Sequence, residues 1–460
     1  MHAAARISNA IRRTGPSLSA VIALLSLTIA LTTFAYLVRV ANNIALADHW
    51  TWITGLLIPY VEGRIGLGQY LLGQYTFLAH SHFAALAFLL IAYKYFALNL
   101  YLQLVWGVVS YVAGALLIAR QFWLYRADGA NFNAAVLIGT IGYFCITSDF
   151  PWFLVVFEYF YFALALILLV AFDRAVQQRI SWLAFLVLFV LVLILGDSIG
   201  LAASITVLCA AGLLTLSGTL RWQQFVQLLV TISVVLAPMR LVLGPGIPGS
   251  ETARGAALAA LVASPDIIVR AVLSSMSQPL IDNTVLRYYS AQPHLLRYGV
   301  GAAVAFGLCS VLWLYWKQNA YRRTILPVLF MAFSFLAALA ILTSRYFDGG
   351  EDVLLAQRFT RLFTLYVVGF ALAAALIEGR AAKAITSTFA VICLAGYVVS
   401  ASHQWRHIGH VHTYFHRAEQ LIRNHELGDE NLGRHIVHCS RGLCDRAILF
   451  MREKRLYLFR

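Results

Sequence analysis

The stretch FAALAFLLIAYKYFAL, residues 83–98, decides the topology of the whole chain. A helix needs about twenty apolar residues to cross roughly 30 Å of hydrocarbon, and this stretch is shorter and is interrupted by Lys94. If it crosses a membrane, every later loop lies on the opposite side from the one it would otherwise face. The rest of the sequence must therefore decide between a crossing segment and an in-plane or re-entrant one.

The composition is that of a membrane protein. Of 460 residues, 61% are hydrophobic and only 12% are charged, whereas soluble domains carry about a quarter charged residues. The net charge of +14 is expected from membrane topology, and no Lys/Arg run is long enough to predict a nucleic-acid partner. The N-terminus has a basic head before an apolar stretch too long for a signal peptide, which predicts an uncleaved first span.

Apolar runs recur along the chain and predict an all-α fold. The expected architecture is a polytopic transmembrane helix bundle with about 11 spans plus in-plane helices. The candidate spans are residues 17–38, 101–119, 134–150, 152–172, 181–197, 198–217, 223–243, 298–316, 324–343, 361–377 and 384–401.

Basic residues fix the orientation, because cytoplasmic loops are enriched in Lys and Arg. If 83–98 does not cross, ten loop cations join the N-terminal arginines in the cytoplasm; if it crosses, all ten face outward. These cations are Arg120, Arg126, Arg174, Arg179, Arg221, Lys317, Arg322, Arg323, Arg380 and Lys383. We therefore predict that 83–98 is in-plane or re-entrant, with the N-terminus inside and the C-terminus outside.

This topology divides the chain into two regions. Residues 1–401 form the transmembrane bundle, with outer loops 39–100, 244–297 and 344–361, and residues 402–460 form an extracytoplasmic amphipathic tail.

The cysteine pattern also predicts that the tail lies outside the cytoplasm. Cys439 and Cys444, in CSRGLC, can close a small disulfide loop, which requires an oxidising compartment. The other four cysteines lie singly in apolar runs, which is typical of inert core residues.

Acidic residues mark the outer side. Asp48 follows the first span, Asp149 and Asp197 lie in tight turns, and Glu158 lies within a span. Ionisable residues at membrane depth usually face a cavity or a partner, so Glu158 is a functional candidate, as are Asp48 and Asp149. The alternative is that Asp149 and Asp197 are ordinary turn residues and that Glu158 pairs with an arginine.

Histidines accompany these acids. His49 adjoins Asp48, and His80 and His82 precede the segment 83–98. They can hydrogen-bond a sugar or a phosphate, and a divalent cation is a possible cofactor if they share a face with an acid. The tail also has histidine pairs at i, i+4, but the carboxylate or cysteine pattern of a metal site does not accompany them.

Outer arginines form the second group of candidates. A guanidinium binds phosphate bidentately and stays charged, so these residues suit a lipid phosphate, although contact with lipid headgroups is the alternative. They are Arg254, Arg270, Arg287, Arg297, Arg345, Arg358 and Arg361. Tyrosines such as Tyr346 lie beside them, which fits either sugar stacking or an interfacial aromatic belt.

The layout resembles membrane glycosyltransferases of the GT-C type, which take sugars from polyprenyl-phosphate carriers. The matching elements are an acid after the first span (ADHW, 47–50), an aromatic, glycine-containing loop (51–72), a histidine stretch (HSH, 80–82) and a late SRYF (344–347). A second acid after a later span is matched by Asp149 or Glu158.

The resemblance implies a GT-C-like bundle in the bacterial cytoplasmic (inner) membrane. Its catalytic acids would be Asp48, Glu158 and Asp149. Substrate-binding candidates are His49, His80, His82, Arg345, Tyr346, Arg358 and Arg287. The partners implied are a polyprenyl-phosphate-linked sugar donor, a glycan or lipid-linked acceptor, and membrane lipid.

Two other functions stay open. A lipid-linked polysaccharide polymerase or ligase uses the same donors and often has two arginine-bearing outer loops, which 244–297 and 344–361 can be. A transporter or flippase of lipid-linked sugars belongs to a different class; transporters place charges near mid-membrane and often consist of two repeated halves. We find no convincing repeat in this sequence, which favours the transferase.

Overall fold

The computed structural model describes residues 18–40, 48–72, 82–125, 131–146, 158–243, 250–356, 359–426 and 441–459. Within these ranges the chain is helical and has no β-strand, which confirms the all-α class. In chain order the α-helices are α1 Leu18–Val40, α2 Asp48–Trp52, α3 Ile58–Val61, α4 Leu67–Leu72, α5 Phe83–Phe96, α6 Tyr101–Leu124, α7 Phe132–Tyr143, α8 Glu158–Val176, α9 Trp182–Leu195, α10 Asp197–Leu216, α11 Trp222–Leu243, α12 Ser250–Ala263, α13 Pro265–Ser277, α14 Asn283–Tyr289, α15 Pro293–Lys317, α16 Leu326–Gly349, α17 Thr360–Ala375, α18 Arg380–Asn424 and α19 Arg441–Glu453. A π-helical turn, Ile53–Leu57, joins α2 to α3.

Each predicted span corresponds to a helix, but the helices differ in length. Among the described residues, seven are long and apolar enough to cross a membrane: α1, α6, α8, α10, α15, α16 and α18. Segments Gly255–Ala263 and Pro265–Ser277 qualify only as a pair, and they are bent by 98°. The structure therefore supports seven candidate spans, or eight with the bent pair. The larger count of about 11 stays a prediction.

Helices α1 and α18 run side by side in the same direction. The Tyr397 hydroxyl donates to the Ile29 carbonyl oxygen (3.3 Å), and the ring centroids of Tyr36 and Trp405 are 5.8 Å apart. Residue numbers therefore rise together along the two helices. Both lead to the same end of the bundle, which we call the site end.

The described residues between α1 and α6 lie at the site end. Nε2 of His49, in α2, lies 2.7 Å from Oε1 of Gln103, near the start of α6. Helix α5 has 14 residues and is about 21 Å long. It does not carry the chain to the other end of the bundle, and whether segment 83–98 crosses a membrane stays a prediction.

The opposite end, where α6 and α8 end and α16 begins, we call the basic end. There Asp173 is buried and accepts four hydrogen bonds. Its Oδ2 accepts from the Tyr125 hydroxyl (2.8 Å), Gln177 Nε2 (2.9 Å) and the Thr324 hydroxyl (2.9 Å), and its Oδ1 accepts from the Ile325 amide (2.7 Å). One carboxylate thus joins three helices that lie far apart in sequence.

Some helices approach closely because glycine leaves room. A Cβ at Gly301 of α15 would overlap the Leu273 carbonyl oxygen of α13, and one at Gly396 of α18 would overlap the Leu280 carbonyl oxygen. Small residues at such crossings are typical of helix packing in membranes.

Helix α18 extends far beyond its apolar part. It has 45 residues, which correspond to about 68 Å, and the predicted boundary at 402 lies inside it. Residues of the tail then return to the site end: Arg446 Nη2 lies 3.7 Å from Glu62 Oε2, and the Tyr457 amide donates to the Ala97 carbonyl oxygen (2.7 Å). Helix α19 also packs against α2 and the π-helical turn.

The structure describes one of the two cysteines of the predicted disulfide. Cys444 is buried and disulfide-bonded, whereas Cys145, Cys209, Cys309 and Cys393 are free. Cys439 lies outside the described residues, so the pairing of Cys439 with Cys444 stays a prediction.

We expect the site end to face outward. A C-terminal alkaline phosphatase fusion should be active and a C-terminal fluorescent-protein fusion dark, because the tail packs at the site end while the basic connectors lie at the other. A fusion pair with the opposite pattern would show that the site end faces the cytoplasm.

Candidate functional site

Four segments bring charged and polar side chains together at the site end: α2, the start of α5, the start of α10 and the start of α8. For Asp48 the structure describes the backbone only, as the first residue of α2. The predicted residues His80, Asp149 and Arg358 lie outside the described residues. The described part of the site therefore consists of the other candidates.

Helix α2 and the π-helical turn hold His49 and Trp52 in the interior. Both side chains are buried, and His49 is bonded to Gln103 as described above. The Thr54 hydroxyl donates to the Trp50 carbonyl oxygen (2.7 Å) where the helix widens. Such π segments are frequent at functional sites, since they re-aim the side chains on either side of them.

His82 and Asp197 form a pair across 115 residues of sequence. Nδ1 of His82 lies 3.2 Å from Oδ2 of Asp197, and their side chains are 15% and 7% exposed. The ring of Trp52 lies against both histidines, with its centroid 5.2 Å from that of His82 and 5.3 Å from that of His49. One indole therefore links the two imidazoles.

The turn GDSIG, 196–200, holds Asp197 in an uncommon conformation. Its φ is +51°, in the left-handed region, which Asp tolerates better than most residues. A Cβ at Gly196 or Gly200 would lie 2.6 Å from the Val192 carbonyl oxygen, so the turn needs both glycines. The Ser198 amide donates to Asp197 Oδ1 (2.6 Å), which leaves Oδ2 directed at His82. Held strain of this kind is often found at functional sites.

Glu158 begins α8 and lines a small cleft of about 10 Å³, which is room for about one water molecule. A carboxylate at a helix N-terminus is stabilised by the helix dipole. The hydroxyl of Tyr161, one turn further on, interacts electrostatically with both Glu158 and Asp197, and α8 and α10 both border the cleft. The described residues that line the cleft are Glu158, Tyr159, Phe162, Ile199, Arg361 and Leu362.

Arg361 supplies the positive charge of the cleft. It is only 4% exposed. Its Nη1 donates to the Tyr143 carbonyl oxygen (3.0 Å) and its Nη2 to the Cys145 carbonyl oxygen (2.6 Å). The guanidinium carbon lies 5.7 Å from the centroid of the Tyr111 ring and 5.6 Å from that of Tyr159, within cation–π range.

Two tyrosines fix the position of this guanidinium. Tyr111 and Tyr143 exchange hydrogen bonds, each hydroxyl donating to the other residue's carbonyl oxygen (3.0 and 2.7 Å), and their rings stack at 4.9 Å. Tyr111 lies about 15 Å along α6 from its first residue, Tyr101. The cleft is therefore deep within the bundle, where an ionised group is costly and usually functional.

The arginine of the cleft is Arg361, whereas the sequence favoured Arg345, Arg358 or Arg287 for phosphate binding. Arg345 lies at a kink in α16 (φ −128°, ψ 16°), the Tyr346 ring packs on Phe347, and Arg287 is exposed in α14. Arg345, Arg287 and Tyr346 do not line the cleft of described residues. Arg361, one of the outer arginines that the sequence names, lines the cleft at the start of α17, and phosphate binding by Arg345, Arg358 or Arg287 stays a prediction.

The predicted acid Glu158 and the two described histidines lie in different surroundings. Glu158 lines the cleft, His82 pairs with the neighbouring Asp197, and His49 is buried against Gln103. The sequence favours Asp197 as a turn residue over a functional acid, and it carries no signal that marks Gln103 or Trp52. The glycines that flank Asp197 are the one local signal that could have raised its rank. Among the described residues, no three His, Cys, Asp or Glu side chains are grouped to hold a metal ion.

Comparison with known proteins found no relative. No family model, curated protein or solved structure matches the chain. The resemblance to GT-C-type enzymes therefore depends on the sequence motifs, and function must be argued from the site itself.

Proposed function

We propose that the protein is an integral-membrane glycosyltransferase that moves a sugar from a polyprenyl-phosphate carrier to a glycan or lipid-linked acceptor on the outer face of the membrane. The observation that carries this proposal is the cleft deep in the bundle, which a carboxylate (Glu158) and a buried guanidinium (Arg361) line together. Asp197, which pairs with His82, lies two residues before Ile199, and Ile199 lines the cleft.

The chemistry of such a transfer matches these groups. An acceptor oxygen forms a bond to the anomeric carbon and loses its proton, while the bond from that carbon to the phosphate oxygen breaks. The lipid phosphate leaves with the bonding electron pair. A proton acceptor and a fixed cation near the leaving oxygen both lower the barrier. The proton can be accepted by Glu158, Asp197 or His82. Arg361 can stabilise the charge of the leaving phosphate.

Asp48 stays a candidate from the sequence. It begins α2, one residue before His49, which brings its backbone to the site end. Within the proposal, Asp48 would contribute a further carboxylate to the acceptor side, and the donor, acceptor and cytoplasmic-membrane location carry over from the resemblance. A divalent cation remains optional in this scheme.

Glu158→Gln should lower kcat about tenfold. Glutamine preserves the shape and one acceptor oxygen but removes the charge, and a hydrogen bond to a charged group is worth about 1.4 kcal/mol more than a neutral one. The measurement is transfer of labelled sugar from a polyprenyl phosphate by purified protein in vesicles. Glu378→Gln, an exposed acid near the basic end, is the matched control and should leave transfer at the wild-type rate.

The same assay separates the alternatives. Transfer of one sugar supports the transferase, growth of a sugar chain supports the polymerase or ligase, and movement of intact donor across the vesicle supports a transporter. The 98° bend between Gly255–Ala263 and Pro265–Ser277 favours the transporter as second candidate, because broken helices line the substrate sites of many transporters. Wild-type protein that moves donor without breaking it would overturn the transferase proposal.

A further inference from the structure

We propose that the basic end carries a binding site for the headgroup of an anionic phospholipid. The site is formed by the turn between α15 and α16 together with the turn that leads into α18. These two turns, residues 317–323 and 377–383, we call the cationic platform. The platform lies at the opposite end of the bundle from the cleft, so its ligand is independent of the proposed transfer reaction.

A single glutamine side chain joins the two turns of the platform. Gln318 Nε2 donates to the Glu378 carbonyl oxygen (2.8 Å), and the Glu378 amide donates to Gln318 Oε1 (2.9 Å). Gly379, with a φ of +102°, then turns the chain into α18. The helices behind the turns are also neighbours, because a Cβ at Gly307 of α15 would lie 3.4 Å from the Phe389 ring of α18. The two turns therefore lie side by side and form one surface.

The platform carries a strong excess of positive charge. Across these fully described turns the one acidic side chain is Glu378, whereas five cationic side chains are exposed. The cations are Lys317, Arg322, Arg323, Arg380 and Lys383. The turn between α10 and α11, residues 217–221, has one cation, Arg221. Clustered cations between membrane helices are typical of sites that bind anionic headgroups.

Exposed aromatic side chains lie directly beside these cations. Trp313 and Trp316 of α15 are 60% and 62% exposed. Lys317 Nζ lies 4.8 Å from the centroid of the Trp313 ring, and the Trp316 ring stacks on that of Tyr321 at 4.7 Å. Tryptophan is enriched where a membrane helix passes the headgroup layer, because its ring is apolar and its N–H is polar. This pattern places the cations of the platform at the level of the lipid phosphates.

An anionic phospholipid matches both the charge and the apolar surface next to it. Its phosphate is attracted to the cations of both turns, and a guanidinium can bind it through two N–H groups. Its acyl chains can follow the exposed apolar face of α15, on which Phe306 is 74% exposed and lies two helical turns before Trp313. Free phosphate would contact the cations and leave this apolar face uncovered. The lipid is therefore the occupant that fits best.

Arg322→Gln combined with Arg380→Gln tests the site, because it removes one cation from each turn. Native mass spectrometry of the purified full-length protein in detergent, titrated with phosphatidylglycerol, measures the affinity. We expect binding to weaken about 25-fold, since each cation near an anionic headgroup contributes about fivefold. Lys317→Gln combined with Lys383→Gln changes the same two turns at other positions and should give a similar loss. Phosphatidylcholine, which has no net charge, should bind the wild type and both variants equally weakly.

Arg120→Gln combined with Arg221→Gln is the matched control. Both arginines are exposed and lie outside the platform, so this variant should bind phosphatidylglycerol as the wild type does. Thermal unfolding in detergent checks that every variant folds. An equal loss of affinity in the control would overturn the site, because the attraction would then depend only on total charge. Displacement of the lipid by an equal concentration of inorganic phosphate would also overturn it, since the cations would then recognise free phosphate.

Discussion

Asp173→Asn is expected to lower the free energy of unfolding by about 3 kcal/mol, among the largest effects of any single substitution at the basic end. Four donors converge on the wild-type carboxylate. Asparagine offers one acceptor oxygen, and its amide group turns N–H donors toward other donors. The buried hydroxyl and amide groups then lose their partners at the junction of three helices.

The measurement is denaturant unfolding in detergent micelles. Asp266→Asn is the matched control: Asp266 Oδ2 lies 3.0 Å from Arg270 Nη2, but its side chain is 66% exposed, so its loss should have almost no effect on unfolding. Equal stabilities of the two variants would mean that the Asp173 junction does not hold the bundle together.

The sequence predicted the helices well because their apolar runs are local signals. Each run, from 17–38 to 384–401, has a corresponding helix, and a hydrophobic run bounded by polar turns determines a helix without reference to the rest of the chain. The lengths of the helices were harder to predict from the sequence. Helix α7 has 12 residues and ends at Tyr143, well before the end of the predicted span 134–150, whereas α17, Thr360–Ala375, matches the predicted span 361–377 closely.

Long-range pairing explains most of what the sequence could not predict. His82 and Asp197 meet only because α5 and α10 start at the same end of the bundle. The boundary expected at 402 was placed where the apolar run ends, but α18 continues as a helix through histidines and arginines that are themselves compatible with a helix. Composition marks where the apolar environment ends and does not mark where the helix ends.

In the candidate site, too, the sequence shows the local signals but not the long-range contacts. Charge at membrane depth is visible in the sequence, and on that ground Glu158 was singled out. Arg361 was one of several outer arginines, and its distinction is its burial against Tyr111 and Tyr159, which depends on three helices at once. Loop arginines such as Arg345 had the stronger motif, but the motif gave no information about depth.

Arg361→Lys is expected to lower transfer by at least about 100-fold, the effect of losing an electrostatic donor at a reacting centre. Lysine keeps the charge, but its single ammonium cannot reproduce the fork that donates to the carbonyl oxygens of Tyr143 and Cys145. The charge would therefore lie at a different point in the cleft. A purely structural arginine would also lose stability on this change, so stability alone does not decide its role.

Arg297→Lys supplies the comparison that separates the two roles. Arg297 is likewise buried, lies 3.4 Å from Asp352 Oδ1 and packs over the Tyr298 ring, but it does not line the cleft. A ligand that binds only the folded protein raises its unfolding temperature, and a short-chain polyprenyl phosphate should do so for the wild type and for Arg297→Lys. The shift should vanish in Arg361→Lys, because the ammonium no longer lies at the point in the cleft where the guanidinium lies. If both variants retain the shift, Arg361 only clamps the segment after α7, and the cleft does not bind phosphate through it.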